Sequence, residues 1–441
     1  MIHPVNSRKW VILLVALMVS SCSYFDDEPK EILEGQRFPV IGLGRAVAVD
    51  PEAAATPVQL PQARSILNWT QSGGNASHTP GHLAVSDSLS IAWSSSAGVG
   101  SSTRQKLVSP PIVADGKIFV KDANGGVRAM DKTSGRTIWQ TNLTPEGESS
   151  GEGFGGGLAY DGGRLYVTSP YGYMIALNPA SGDELWRQKV RVPFRAPPAA
   201  ANGRVFAITQ DNQLFAFDGA TGTVTWTYRA IAETTVLMQR AAPALQGDVI
   251  VAPFSSGEVV ALRASSGAVL WADQLGRTGV VTPLAAISDV AAAPVIDRGR
   301  VYVVSHGGRA AAFDLRSGRR IWLRDAGGVQ MPWAVGDTLF LVGLEGELIA
   351  MRKADGRIRW VNALDRYSDP DGRSGLIAWS GPLLISNRLI AVSSDGRLVS
   401  FDPVTGAEIS TQEVPDSFMS PIVSEGTVYI LGDNAELVAL R

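Results

Sequence analysis

One phrase, a glycine followed four residues later by a tryptophan, recurs along the chain and constrains its fold more than any other feature. It pairs Gly135 with Trp139, Gly182 with Trp186, Gly222 with Trp226, Gly267 with Trp271, Gly318 with Trp322 and Gly356 with Trp360. A seventh copy, Gly406 with Ser410, keeps the frame and loses the tryptophan. Each copy follows a strand ending in Ala-x-Asp or a variant, as in Ala129-Met130-Asp131, Ala216-Phe217-Asp218 and Ala312-Phe313-Asp314. Before that comes a short apolar strand after a turn, as in Gly116-Lys117-Ile118-Phe119-Val120. A period of about 40 to 50 residues with four strands per unit is the signature of a propeller blade. The Asp and Gly of the turn suit the backbone angles of a tight reversal. Strands squeezed between neighbouring blades should be continuously apolar, as Val249-Ile250-Val251 and Leu339-Phe340-Leu341-Val342 are.

Closure sets the blade number. The last repeat, from Pro421 to Arg441, stops before any outer strand, whereas Leu89-Ser90-Ile91-Ala92-Trp93 is an outer strand with no three strands before it. Pairing the two gives seven whole blades and one shared blade. The expected fold is therefore all-β: an eight-bladed β-propeller of four-stranded antiparallel blades, its last blade closed by the N-terminal strand, over residues 67–441. Joining the termini in one sheet also removes exposed strand edges.

The N-terminus reads differently. Arg8 and Lys9 precede an apolar run from Trp10 to Val19, then Ser20-Ser21-Cys22. That run is about ten residues, against the ~20 of a membrane-spanning helix, so residues 1–21 are expected to be a signal peptide. The ending resembles the lipobox of bacterial lipoproteins, which implies lipid attachment at Cys22, the single cysteine of the chain. Ser23 is not the aspartate that retains such lipoproteins in the inner membrane, so the resemblance implies the periplasmic face of the outer membrane. Residues 22–66, rich in Pro and Ala toward Pro61, are expected to form a tether. Removing Arg8 and Lys9, with no acid, moves the formal net charge from -3 to -5, which gives no basis for nucleic-acid binding. The 47 glycines and 25 prolines in 441 residues agree with a turn-rich fold.

Several motifs with catalytic overtones lack the context their chemistry requires. Gly147-Glu148-Ser149-Ser150-Gly151 would need a strand-turn-helix elbow with a histidine and an acid. Gly151 through Gly156 would need a helix N-terminus facing a pyrophosphate. Among short strands both read as one inter-blade loop. His78 and His82 have helical metal-pair spacing, but Pro80 and Gly81 lie between them, so a structural turn is expected. With His306 they are too scattered for a metal site or triad. The tryptophans, fixed in the repeat, read as wedges between blades. No catalytic, cofactor or metal residue is assigned.

The Ala-x-Asp-x-x-Thr-Gly-x-x-x-Trp phrase resembles the repeat of quinoprotein dehydrogenase propellers, which bind pyrroloquinoline quinone and calcium. In those enzymes an adjacent cysteine pair stacks on the quinone, and this chain has only Cys22; its acidic calcium ligands are not legible in a sequence. A degenerate quinoprotein-like ligand-binding propeller is the alternative reading this resemblance leaves, and a propeller serving another envelope complex is a third.

Over nearly the whole mature chain the sequence is similar to the BamB family of lipoproteins, eight-bladed accessories of the outer-membrane β-barrel assembly machinery. The likeness rests on Cys22, on Glu34-Gly35-Gln36-Arg37-Phe38-Pro39-Val40, on Trp69-Thr70-Gln71-Ser72-Gly73-Gly74-Asn75, and on Ala312 through Trp322. It implies a non-catalytic scaffold that docks on the periplasmic POTRA domains of BamA and assists insertion of outer-membrane proteins, with unfolded clients as a further class of partner. The family docks through a Leu-x-Leu-Arg loop after one blade's tryptophan and a Ser-Asp-Val-Asp loop after the next. Here the first becomes Thr235-Val236-Leu237-Met238-Gln239-Arg240, and the second becomes Ser288-Asp289-Val290-Ala291. Both connect an outer strand to the next inner strand, so they should lie side by side on one face. The expected partner surface has an apolar centre of Val236, Leu237 and Met238, flanked by Arg240 and Asp289.

Overall fold

A computed structural model describes residues 47–149, 153, 155–233, 241–275 and 289–441. Among these, eight four-stranded antiparallel sheets follow one another along the chain. Blades 1 to 7 comprise residues 112–142, 157–189, 199–229, 244–274, 295–324, 333–363 and 379–413. Blade 8 takes its three inner strands from 422–440 and its outer strand from Ile91–Ser96. That outer strand pairs antiparallel with Glu436–Leu440, Trp93 opposite Ala439, and reciprocal hydrogen bonds between Ser90 and Arg441 continue the ladder. The ring thus closes non-covalently, as its sequence requires.

The repeat phrase is explained by register. In each complete repeat the tryptophan of the outer strand sits opposite the alanine two residues before the Asp position, which Asn178, Arg263 and Arg352 fill in blades 2, 4 and 6: Ala129 with Trp139, Ala176 with Trp186, Ala216 with Trp226, Ala261 with Trp271, Ala312 with Trp322 and Ala350 with Trp360. A bulge follows at once in every case. In blades 1, 3, 5 and 7 an Asp then closes the turn. Oδ1 of Asp131 accepts from the amides of Thr133 and Ser134 at 3.1 and 2.8 Å, and the Ser134 hydroxyl holds its carboxyl below the usual range. Gly135 completes the turn at φ +70°, a conformation other residues adopt only at a cost.

Each indole then reaches across to the next blade. Trp139 donates to Pro179 O, Trp186 to Gly219 O, Trp226 to Ala264 O, Trp271 to Leu315 O, Trp322 to Lys353 O and Trp360 to Pro403 O, at 2.8–3.2 Å. The ring of each rests on the turn glycine of that next blade, where a Cβ would come within 2.7 Å of it. Blade 8 has no such turn, because its outer strand, Ile91–Ser96, does not follow its third strand in the chain. The outer strand of blade 7 accordingly carries Ser410 where the others carry tryptophan. The second and third strands of the blades are buried almost throughout, as at Ile118, Phe119 and Val120. Each such side chain contributes ~1.5–3 kcal/mol on burial.

The segment before the ring is built into it. Residues 50–61 run beneath blade 6: Asp50 N donates to Ile358 O at 2.9 Å, Arg357 pairs with Glu52 at 2.5 Å, and Arg359 donates to Thr56 O at 2.9 Å. Within the segment expected as a tether, the chain from residue 47 packs on blades 5 and 6. Residues 66–85 then circle the axis, engaging every blade in turn. Ile66 O accepts from Glu425 N (blade 8), and Trp69 exchanges two bonds with Val113 (blade 1). Thr70 O accepts from Tyr160 N (blade 2), and the Gln71 amide pairs with both backbone groups of Ala200 (blade 3). Ala76 O accepts from Leu245 N (blade 4), Ser77 O from Ile296 N (blade 5) and Gly81 O from the Trp333 indole (blade 6); Leu83 N donates to Leu384 O (blade 7). His78 and His82 belong to this circuit. His78 Nδ1 bonds Pro294 O at 2.7 Å, and His82 joins Pro61 O to Asn387 N. No helix among the described residues is long and apolar enough to cross a membrane.

Candidate docking face

Antiparallel blades sort their connections onto two faces. The turns joining first to second and third to fourth strands share one face with residues 50–61. The other, the loop face, carries the turns between second and third strands and the connections from each outer strand to the next inner one. The longest interval between consecutive blades is 275–294, and 230–243 is its neighbour on the same face. These are the two loops singled out above.

Their roots are tied together by one buried polar network. Arg195, in the connection from blade 2 to blade 3, donates to Asn212 Oδ1 at 3.0 Å and pairs with Asp289 at 3.4 Å; both charged side chains are at most 1% exposed. Asn212 Nδ2 donates to Ile231 O at 2.6 Å, and Asn212 Oδ1 also accepts from the amide and hydroxyl of Ser255. Burial pulls the Arg195 guanidinium below its usual pKa, and the Asp289 charge opposes that fall. The network joins the start of the 230–243 connection, at Ile231, to Asp289 in the latter part of the 275–294 connection. A buried ion pair of this kind fixes geometry more than it adds stability, but breaking one partner away costs ~3–5 kcal/mol.

Asp289 is therefore not presented at the surface. Its carboxylate lies inside the ring, its carbonyl accepts from His306 N at 3.1 Å, and Val290 N donates to Phe254 O. A charged residue in a loop suggests exposure, yet the buried cation that holds it, Arg195, lies 94 residues away in the sequence. Leu237 and Arg240, with Val236 and Met238, lie outside the described residues, as does Cys22. The Gly147 loop is described in part, and it packs where Lys121 Nζ donates to Gly155 O at 3.1 Å.

The loop face also opens into an axial cavity of about 360 Å³. Residues just before the innermost strands form its wall, among them Leu107, Met331 and Met419. Trp69 and Gly73 of the encircling segment contribute to it, and Trp69 stacks on Trp333 at 6.4 Å. Nothing in the repeat foretold this cavity or the segment beside it.

Comparison with known proteins agrees with this architecture. A family model described as outer membrane protein assembly factor BamB matches residues 72–151 and 123–362. The chain is 26% identical over 344 residues to the outer membrane protein assembly factor BamB of Yersinia pestis, covering 77% of this chain and 85% of that protein. It is 27% identical over 356 residues to the Salmonella typhimurium protein of the same name, covering 79% and 88%. Among solved structures, BamB from Moraxella catarrhalis superposes with a TM-score of 0.69 at 18% identity, covering 80% of this chain and all of that one. The quinohemoprotein alcohol dehydrogenase of Comamonas testosteroni gives 0.62 at 14% identity, covering 86% and 81%. At these identities the two structures show a shared fold. The described residues do not fit a quinone and its calcium: the cavity wall holds one carboxylate, Asp433, engaged by the Ser101 hydroxyl, and no cysteine. Nor do three His, Cys, Asp or Glu side chains converge as a metal site among them.

Proposed function

Because the chain belongs to the family of the outer membrane protein assembly factor BamB, we propose that it is a scaffold in outer-membrane protein assembly with no catalytic step of its own. In this reading it is a lipoprotein anchored through Cys22 at the periplasmic face of the outer membrane, and it docks on the POTRA domains of a BamA-type partner. The family match across residues 72–362 carries the proposal, since it runs from the encircling segment through blade 6.

The docking surface is the pair of loops at 230–243 and 275–294, with Leu237 and Arg240 as contact residues. Asp289 serves the same surface from within, by holding the second loop to Arg195 and, through Asn212, to the root of the first. Long loops on a rigid ring are suited to this role, because the ring bears the ordering cost before the partner arrives. Residues 50–61 lie on the opposite face of the ring. Unfolded clients are a further class of partner.

Co-purification tests the assignment. The mature protein should retain the periplasmic domains of the BamA-type protein from the same bacterium, and should release them when Leu237→Ala and Arg240→Ala are combined. Failure of the unmodified protein to retain them would remove the docking assignment.

A further inference from the structure

We propose that the axial cavity, with the loop face of blades 6 to 8 around its mouth, is a second protein-binding surface, and that its occupant is an extended polypeptide segment bearing aromatic or large aliphatic side chains flanked by lysine or arginine.

The cavity sets the apolar half of that description. At about 360 Å³ it falls at the low end of the ~300–1,000 Å³ typical of ligand sites, so it admits side chains but no folded element. Its wall carries Met331 and Met419, whose flexible thioethers adapt to differently shaped apolar groups. Phe418 stands in the same wall and is 48% exposed, an anchor left in solvent. Leu344 and Leu376 are exposed on the same face, at 38% and 69%. Among the described residues the indole N–H of Trp69 has no acceptor, and a peptide carbonyl can supply one.

Charge sets the other half. On the loop face of blades 6 to 8, Arg366 is held by Glu345 at 2.5 Å, and Arg397 by Asp365 and Asp395 at 2.6 and 3.0 Å. Among the described residues Asp369, Asp371, Glu413, Asp416 and Asp433 form no salt bridge, and burial, helped by the charge of Glu345, holds the Glu347 carboxyl above the usual range. Against them stand Arg373, on a short hairpin of Tyr367–Asp369 and Ser374–Leu376 between blades 6 and 7, and Arg104 and Lys106 in the connection from blade 8 to blade 1. The excess is negative in a protein that is itself net negative, so it selects for cationic segments and repels acidic ones. Nucleic acid and anionic lipid are excluded by the same sign. Ala291 and Ala293, at the base of the second docking loop, share the cavity wall, but Phe418 and the charged rim lie over blades 6 to 8 and outside both docking loops, so the variants below test this surface separately from them.

Calorimetric titration of the mature protein with three capped peptides, Lys-Phe-Lys-Phe-Lys, Glu-Phe-Glu-Phe-Glu and Lys-Ser-Lys-Ser-Lys, tests it. The first should bind, more weakly as salt rises, and the other two should bind at least about tenfold more weakly, as expected where charge and apolar contact are both required. Phe418→Ser and Asp416→Lys, both at exposed positions and so compatible with an unchanged melting temperature, should each weaken the first peptide by about the same factor. Equal binding of the basic and acidic phenylalanine peptides, or titrations unmoved by either folded variant, would overturn the proposal.

Discussion

The indole of Trp271, on the outer strand of blade 4, lies so close over Gly318 of blade 5 that a methyl group built on that glycine would stand 2.4 Å from the ring. The same pair is locked by the 2.8 Å bond from the indole N–H to Leu315 O. One contact thus explains why glycine and tryptophan recur together: each tryptophan needs the glycine of the following blade, not its own.

Gly318→Ala should therefore destabilise the ring by about 2–4 kcal/mol, combining the strain of alanine at φ +69° with overlap against a packed ring. Gly203→Ala is the matched control. It has φ +73° with nothing within 4 Å of its Cβ, so only the strain of about 1–2 kcal/mol should remain. Urea denaturation of the two variants side by side checks the difference.

Stability should fall between pH 6.5 and 4 partly because of His78. Burial holds its pKa down at about 4 against an ordinary 6.5, opposed by the bond to Pro294 O. The folded imidazole stays neutral in that window while the unfolded one takes up a proton, so the unfolded state binds more protons and stability drops as pH decreases. The shift corresponds to about 3 kcal/mol at most. His78→Asn keeps a donor for Pro294 O and tolerates the φ of +59° at this position. Its stability curve should lack this component in denaturant titrations at pH 7 and pH 4.

Asp289→Ala should cost about 3–5 kcal/mol, since it strands the Arg195 guanidinium inside the ring. Replacing both partners, Arg195→Met with Asp289→Leu, should recover most of that loss. A double-mutant cycle by chemical denaturation measures the coupling, and additive losses would contradict the network.

The blades were legible from the chain because their contacts repeat: the same alanine, glycine and tryptophan meet the same neighbours at one period. Ser410 looked like decay of the repeat, but it marks the one joint where the following blade has no turn glycine to receive an indole. Residues 66–85 were illegible for the opposite reason. Ile66, Trp69, Gln71, Ala76 and Leu83 each meet a different blade once, and contacts made once leave no period. The two loops were singled out by resemblance to the family's docking loops and by their place between blades, whereas the burial of Asp289 depended on Arg195, a partner no local pattern indicates.

The central claim, that the loop face is where the assembly partner docks, is tested most directly by site-specific photocrosslinking in the envelope. A photoreactive residue at Leu237 should crosslink to the BamA-type protein, and one at Val404, exposed on the third-to-fourth-strand turn of blade 7, should not. Crosslinking from Val404 with none from Leu237 would contradict the account and place the partner on the other face of the ring.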